Sequence, residues 1–289
     1  MTEAIRLMRM AFEALGHGEA QNQPRRRLIV PGGAVMHILA GAYGAYFGTK
    51  FYSTHPKHGA HFFFMLFETL TAKPLALMEA NQLGQIRTGA ASGYATDLLA
   101  NPAAGILGVI GSGFQAKTQV DAVRAVRPIS EVRVWSRSAE KRQRFAKELG
   151  AVEAGSAEDA IRGADIVITA TNAKDPVLDD SWIGQGVHIN AMGSNIANRR
   201  EIPAETVRRA RVVAVDSLEQ AKLEAGELII ADSWANVNEL QFVKRNYDPA
   251  GVSIFKSIGL GLEDVAVGGY VYENALRNGL GRDFGTSYS

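Results

Sequence analysis

The chain has 289 residues, with 31 Lys+Arg against 30 Asp+Glu for a formal net charge of +1, and 46% of its residues are hydrophobic. At roughly 100–200 residues per domain this length accommodates two domains, each with a core of its own. The near-neutral balance argues against nucleic acid as a partner, because sequence-independent affinity needs a concentrated excess of Lys and Arg; the absence of Cys excludes disulfides, thiolate zinc sites, iron–sulfur clusters and a Cys nucleophile.

Ile5, Met8, Phe12 and Leu15 recur at helical spacing and predict an opening helix, while Glu3 stands where a signal peptide carries positive charge. No apolar run approaches the ~18–20 residues that span a bilayer. A soluble, cytoplasmic chain without a membrane partner is therefore expected. An extended stretch follows around Arg27–Val30, then a strand-like GAYGAYFGTKFYST that leads to a His/Pro/Gly loop. FFFMLFE (62–68) and KPLALMEA (73–80) predict a hairpin, and because FFFMLF is apolar on both faces its sheet is expected to close against a second copy of the chain. A helix is predicted from Thr88 to Leu99, and Asn101-Pro102 marks a boundary, since Pro ends the preceding helix.

Beyond the boundary the pattern alternates strand and helix. GILGVIG (105–111), EVRVW (131–135), ADIVITAT (164–171), VHINAMG (187–193) and RVVAVDS (211–217) are short β-branched runs, with Lys117–Val126 and Ala139–Leu149 as amphipathic helices between them. Such alternation specifies a parallel sheet covered on both faces. The fold class is thus α/β, a Rossmann-type doubly wound sheet preceded by an α+β module.

Gly111-Ser112-Gly113-Phe114-Gln115-Ala116 is a G-x-G-x-x-A that follows a strand and opens a helix. The first Gly permits the tight turn, the second lets backbone approach a pyrophosphate, and Ala116 lets helix and strand pack closely, so a dinucleotide is expected there. An NAD-specific site carries an acidic residue at the end of the next strand, whereas this chain reads Trp135-Ser136-Arg137-Ser138. Arg137 can pair with a 2′-phosphate and Ser136 and Ser138 can donate to it, which favours NADP(H) while leaving NAD(H) open. Arg87 and Thr88 open the small-residue helix, where free amides suit a phosphate. Arg25-Arg26-Arg27 and Lys50 offer positive charge beside extended segments, although an Arg run on a strand is more often a solvated edge. His55, His58 and His61 lie in a loop broken by Pro56 and Gly59, without an acidic or Cys co-ligand, so no metal is expected.

GxGxQA after LGVIG, VHINAMGSN-x3-RRE, VDS-x6-EAGEL and FKSIGLGLED together resemble the ornithine cyclodeaminase/μ-crystallin family over nearly the whole chain. The resemblance implies a homodimer whose substrate-binding and dimerisation domain spans residues 1–102, joined by a C-terminal helix over 262–289, with a dinucleotide-binding domain over 103–261. It assigns the substrate carboxylate to Arg26 and Lys50, and the cofactor phosphates to Arg87 and Thr88. Thr171, Ala191, Met192 and Gly193 match loops lining the nicotinamide half, while Ser257, grouped with the cofactor residues, and Glu224 match residues that reach the substrate pocket.

One position departs from the cyclodeaminase pattern. Where those enzymes carry an Asp that moves a proton on the substrate amine, this chain has Asn195. An amide does not titrate near neutral pH and serves only to orient. A small imino or amino acid is therefore the expected substrate, of an NAD(P)H-dependent ketimine reductase or amino-acid dehydrogenase. Ornithine cyclodeamination and non-catalytic ligand binding are the alternatives.

Overall fold

In the computed structural model, which describes residues 1–283, the chain opens with helix α1 (Thr2–Gly16), whose Ile5, Met8 and Phe12 are buried as their spacing requires. Five strands follow as an antiparallel meander: β1 (Ala20–Ile29), β2 (Val35–Tyr43), β3 (Tyr46–His55), β4 (Gly59–Glu68) and β5 (Pro74–Glu79). The segment GAYGAYFGTKFYST, read as one extended run, is two strands. Gly44 at φ +59 turns the chain between them, a conformation that suits a residue without a Cβ.

Strand pairing divides the meander into two faces. Leu39, Lys50 and Phe64 are cross-strand partners on the inner face, where all are buried. Ile38, Phe51 and Phe63 align on the outer face, where Ile38 and Phe63 are exposed. The doubly apolar FFFMLF is thus half core and half open surface.

Helix α2 (Asn81–Leu99) begins earlier than the predicted Thr88 and is buried along most of its length. Its small residues permit close crossing: a Cβ on Gly89 would sit 2.6 Å from the Thr118 carbonyl oxygen. It leads into β6 (Ile106–Ile110), α3 (Phe114–Val126), β7 (Glu131–Trp135), α4 (Ala139–Leu149), β8 (Val152–Glu153), α5 (Ala157–Ile161), β9 (Ile166–Thr169), β10 (His188–Ala191), α6 (Ala204–Arg209), β11 (Val212–Val215), α7 (Leu218–Glu224), α8 (Gly226–Ala231), β12 (Val237–Glu239), β13 (Ser253–Lys256) and α9 (Gly261–Arg277). The second sheet is parallel, in the order β12-β11-β13-β10-β9-β6-β7-β8, with separate apolar clusters on its two faces. Its first-in-sequence strand, β6, lies between β9 and β7, the reversal of strand order beside which doubly wound sheets bind ligands.

Helix α9 returns to the inner face of the meander through glycines: a Cβ on Gly261 would meet Ala40 backbone at 2.6 Å, and one on Gly268 would overlap the Phe64 ring. It ends at Arg277, so the helix expected over 262–289 is shorter, and residues 284–289 lie outside the described residues. Among the described residues no helix is long and apolar enough to cross a membrane.

Candidate active site

At the C-terminal ends of β6, β7, β9 and β10 lies a cleft of about 1080 Å³, lined among others by Gly111, Ser112, Gly113, Phe114, Gln115, Ser136, Arg137, Ser138, Thr171, Met192 and Gly193. Gly111 has φ +111 and its absent Cβ would overlap the Ala170 carbonyl oxygen, so only glycine makes the turn out of β6. A Cβ on Gly113 would enter open space, and no side chain caps the helix that starts after it. These are the features a pyrophosphate needs: backbone without a covering side chain and free first-turn amides. Across the cleft the Ser112 and Ser136 hydroxyls are 2.8 Å apart, Arg137 is exposed, and Lys141, missed in the sequence, joins them.

The opposite rim of the cleft is held by Glu201. Its carboxylate accepts from the Thr171 amide and hydroxyl at 2.7 Å each, from the Gly193 amide at 2.6 Å and from the Thr169 hydroxyl at 3.1 Å. One buried side chain thereby ties the loop after β9 to the loop after β10. Burial pushes its pKa up, against the pull of Lys256. A Cβ on Gly193 would overlap Glu201 Oε1, which accounts for the glycine. Glu201 closes the RRE segment, where nothing local marks it for this role.

A cluster of buried charge fills the junction between the sheets. Lys50 Nζ donates to Asp264 at 2.9 Å; Arg87 Nη1 donates to Glu263 at 2.7 Å, and its Nε lies 3.2 Å from Asp264. Arg25 Nη1 donates to Glu224 Oε2 and Arg27 Nη1 to Glu224 Oε1, both at 2.5 Å. Arg25 Nη2 donates to the Ile258 carbonyl at 2.6 Å. Behind that turn Asp216 accepts from the Ile258 amide and, at 2.6 Å, from the Gly259 amide. Burial, helped by Arg87, pushes Lys50 down to about 8 although Asp264 opposes it, and burial lifts Glu263 to about 7.

This geometry corrects several expectations. Arg26 does not face the site: it pairs with Ile38 across β1–β2, on the exposed outer face, and is itself exposed. The inward arginines are its neighbours Arg25 and Arg27. Their side of the strand follows from a bulge in which two residues, Pro24 and Arg25, stand opposite Leu39 alone. Arg87 and Thr88 do not stand at a helix start. They lie in the body of α2, where Thr88 donates its hydroxyl to the Gly84 carbonyl at 2.7 Å and Arg87 points to the acids of α9, so neither lines the cleft. Ala191 is a core side chain and meets the site only through its carbonyl, which accepts from the buried Ser257 amide at 3.1 Å. Asn195 does join the cluster, its carbonyl accepting from Arg27 Nη2 at 3.1 Å. Glu224 joins it with both oxygens occupied by guanidinium groups, which leaves it no role as a free base. Asp216, Glu263 and Asp264 were missed because their partners are distant in sequence. The available signals were the Asp of VDS and the acid pair of GLED. Among the described residues no three His, Asp or Glu side chains are grouped to hold a metal.

The ornithine cyclodeaminase/mu-crystallin family model matches residues 1–279. A delta(1)-pyrroline-2-carboxylate reductase of Bacillus cereus is 38% identical over 235 residues, covering 75% of this chain and 72% of that protein. The solved delta(1)-pyrroline-2-carboxylate reductase of Thermococcus litoralis, in complex with NADH and L-proline, superposes with a TM-score of 0.90 at 32% identity over 98% of this chain and 96% of that one. An archaeal alanine dehydrogenase dimer with bound NAD does so with a TM-score of 0.91 at 30% identity, covering 98% and 94%. Each of the three is a reductase or a dehydrogenase.

Proposed function

The chain belongs to the ornithine cyclodeaminase/mu-crystallin family, and from that premise we propose an NAD(P)H-dependent imino-acid (ketimine) reductase, an amino-acid dehydrogenase in reverse, acting at the α-carbon of a small carboxylate substrate. The observation that carries this reading is that buried cations able to hold a carboxylate, Arg25 and Lys50, stand beside the dinucleotide cleft while residue 195, where cyclodeaminases carry an Asp, is an amide. Glu224, Glu263 and Asp264 are each bound to Arg or Lys, and Asp216 accepts two backbone amides on one oxygen from the far side of the Ile258–Gly259 turn. Hydride transfer to a C=N bond needs a held carboxylate and no strong base; loss of a side-chain ammonia needs a base.

Gly111, Ser112, Gly113 and the first turn of α3 would hold the dinucleotide, which when bound would supply hydride from its reduced nicotinamide. Arg25 and Lys50 hold the substrate carboxylate, which fixes the α-carbon and, through their positive charge, keeps the neighbouring C=N bond electrophilic. Asn195 orients the substrate by hydrogen bonding. Glu201 fixes Thr171 and Gly193 at the nicotinamide end. Imine, reduced cofactor and one proton from water together give amine and oxidised cofactor. Loss of reduced-nicotinamide absorbance with a panel of imines, Δ1-pyrroline-2-carboxylate first, tests the reading; a panel that leaves the absorbance unchanged contradicts it.

Four finer readings belong to the same proposal. NADP(H) is favoured over NAD(H), supported by Ser136, Arg137 and Ser138 with Lys141 alongside. The outer face of the meander, with Ile38, Phe63 and Leu77 exposed, forms a homodimer interface. Residues 1–102 with the C-terminal helix serve substrate and dimer, and 103–261 serve the cofactor. The protein works in the cytoplasm, consistent with a sequence free of Cys.

A further inference from the structure

Three consecutive residues after β10 are each held by a charged side chain from a different part of the fold. The Gly193 amide donates to Glu201 Oε2 at 2.6 Å, the Ser194 carbonyl accepts from Lys256 Nζ at 2.5 Å, and the Asn195 carbonyl accepts from Arg27 Nη2 at 3.1 Å. Both cations are answered from the junction of α7 and α8. Glu224 binds Arg27, while Glu227 lies 3.1 Å from Lys256 Nζ and accepts the Glu201 backbone amide at 3.0 Å. Gly226 stands between the two acids, and a Cβ there would overlap the Arg199 carbonyl oxygen, so the junction packs directly on the segment that carries Glu201. One turn of chain, Glu224-Ala225-Gly226-Glu227, therefore braces the strap 193–195 from the substrate arginines on one side and from the cofactor loops on the other.

Lys256 is the costly member of this arrangement. It ends β13 wholly buried, with Glu201 and Glu227 buried beside it, and an ammonium in such a place persists only against firm partners. It faces Glu227 from α8 and Glu201 from the segment before α6, and Asp216 at the end of β11 lies in its field and in that of Arg87. Burial and the Glu227 charge push the Glu201 carboxyl up, and Lys256 is the charge that pulls it back. When ionised, Glu201 accepts two hydrogen bonds on each oxygen. A proton on either oxygen would meet donors on every side; the Thr169 and Thr171 hydroxyls can turn to accept, whereas the Thr171 and Gly193 amides cannot. Lys256 thus acts on the strap twice, directly through the Ser194 carbonyl and indirectly by keeping Glu201 an acceptor.

We propose that Lys256, braced by Glu227, is a positioning residue for hydride transfer: it fixes the strap 193–195 at the nicotinamide end of the cleft and ties it to the substrate arginines. This rests on the reductase reading. In Lys256→Met, kcat for imine reduction should fall about 30-fold, the equivalent of one charge-assisted hydrogen bond to the Ser194 carbonyl. KM for the imine should move by less than about threefold, because Arg25 and Lys50 still hold its carboxylate. NADPH affinity, followed by fluorescence titration between about pH 5 and 9, should weaken on the acid side at a higher pH than in the unmodified protein, the titration of NADPH itself being common to both. The double variant Lys256→Met/Glu227→Gln removes the unanswered acid together with the cation. It should regain melting temperature and move the acid limb back toward its original place, yet its kcat should stay low, a separation that a purely structural lysine does not give. Should Lys256→Met fail to fold, the double variant's kcat decides the matter. In Lys256→Met, kcat within twofold of the unmodified protein or an acid limb that has not moved overturns the proposal, and so does kcat restored with stability in the double variant. Absence of turnover with every imine overturns the reductase reading instead, and the acid limb of NADPH binding then judges the hold of Lys256 on the strap independently.

Discussion

Raising the pH is expected to disarm Lys50 before the arginines of the site. Its ammonium is buried, and burial together with the Arg87 guanidinium brings it from the ordinary 10.5 down to about 8, with Asp264 at 2.9 Å holding it from falling further. A shift of that size corresponds to ~3 kcal/mol between the protonation states. Loss of the proton removes one of the two cations on the substrate carboxylate. At ~2 kcal/mol for a charge-assisted hydrogen bond this is roughly a 30-fold fall in kcat/KM. The assay is kcat/KM for an imine across the alkaline range, paired with binding of pyrrole-2-carboxylate, whose carboxyl group does not titrate there. Both should decline through about pH 8. In Lys50→Arg, which keeps its charge throughout, the limb should move out of range even though a guanidinium fits the ammonium's place poorly. Stability moves the other way. Between about pH 8 and 10.5 the unfolded chain holds the lysine proton and the folded chain does not, so Lys50's contribution to stability rises with pH over that window. Carboxylate binding that stays flat across pH 8, or an alkaline limb identical in Lys50→Arg, would refute the reasoning.

Arg25→Met should lower kcat/KM by about 100-fold and destabilise the fold by roughly 3 kcal/mol, because Glu224 would remain buried with Arg27 as its one cationic partner; Arg26→Met should leave kinetics within threefold and melting unchanged, and the opposite ranking would reverse the assignment of faces. Arg137→Asp should weaken NADPH far more than NADH in a fluorescence titration, since a phosphate contact becomes a repulsion; equal losses would remove Arg137 from the 2′-phosphate site. The unmodified protein should form no proline from ornithine and oxidised cofactor, and Asn195→Asp should gain a trace, because a carboxylate with a pKa near ~4 accepts a proton at neutral pH. Multiple-turnover proline formation by the unmodified protein would contradict the role given to Asn195.

The cofactor half was legible because its signals are local. The turn at Gly111 and Gly113 and the runs of β6, β7, β9, β10 and β11 each depend on neighbours in sequence, and the strands stand within one or two residues of their expected places. The substrate side was legible only in residue type. That Arg25 and Arg27 rather than Arg26 face inward depends on how β1 pairs with β2, and the bulge at Pro24 is set by a strand the local pattern does not contain. The start of α2 lies earlier than the local pattern indicates because Gly84 interrupts Asn81–Gln85 and stands where a capping box needs Glu or Gln; burial of Leu83 and Gly84 and the acids that pair with Arg87 hold those turns in the helix. Lys50 and Asp264 are 214 residues apart, and nothing in either segment announces the other. Their pairing exists only once α9 lies across the meander on Gly261 and Gly268.

The central claim is that hydride passes to the α-carbon of an imino acid. It is tested most directly by turning over an imine with nicotinamide cofactor deuterated at the transferable position, and locating the label in the product by mass spectrometry and proton NMR. The expected product is an amino acid carrying one deuterium on Cα, and its yield should equal the cofactor oxidised. Cofactor oxidation that leaves no deuterium on Cα, or an amino acid formed without cofactor oxidation, would contradict it.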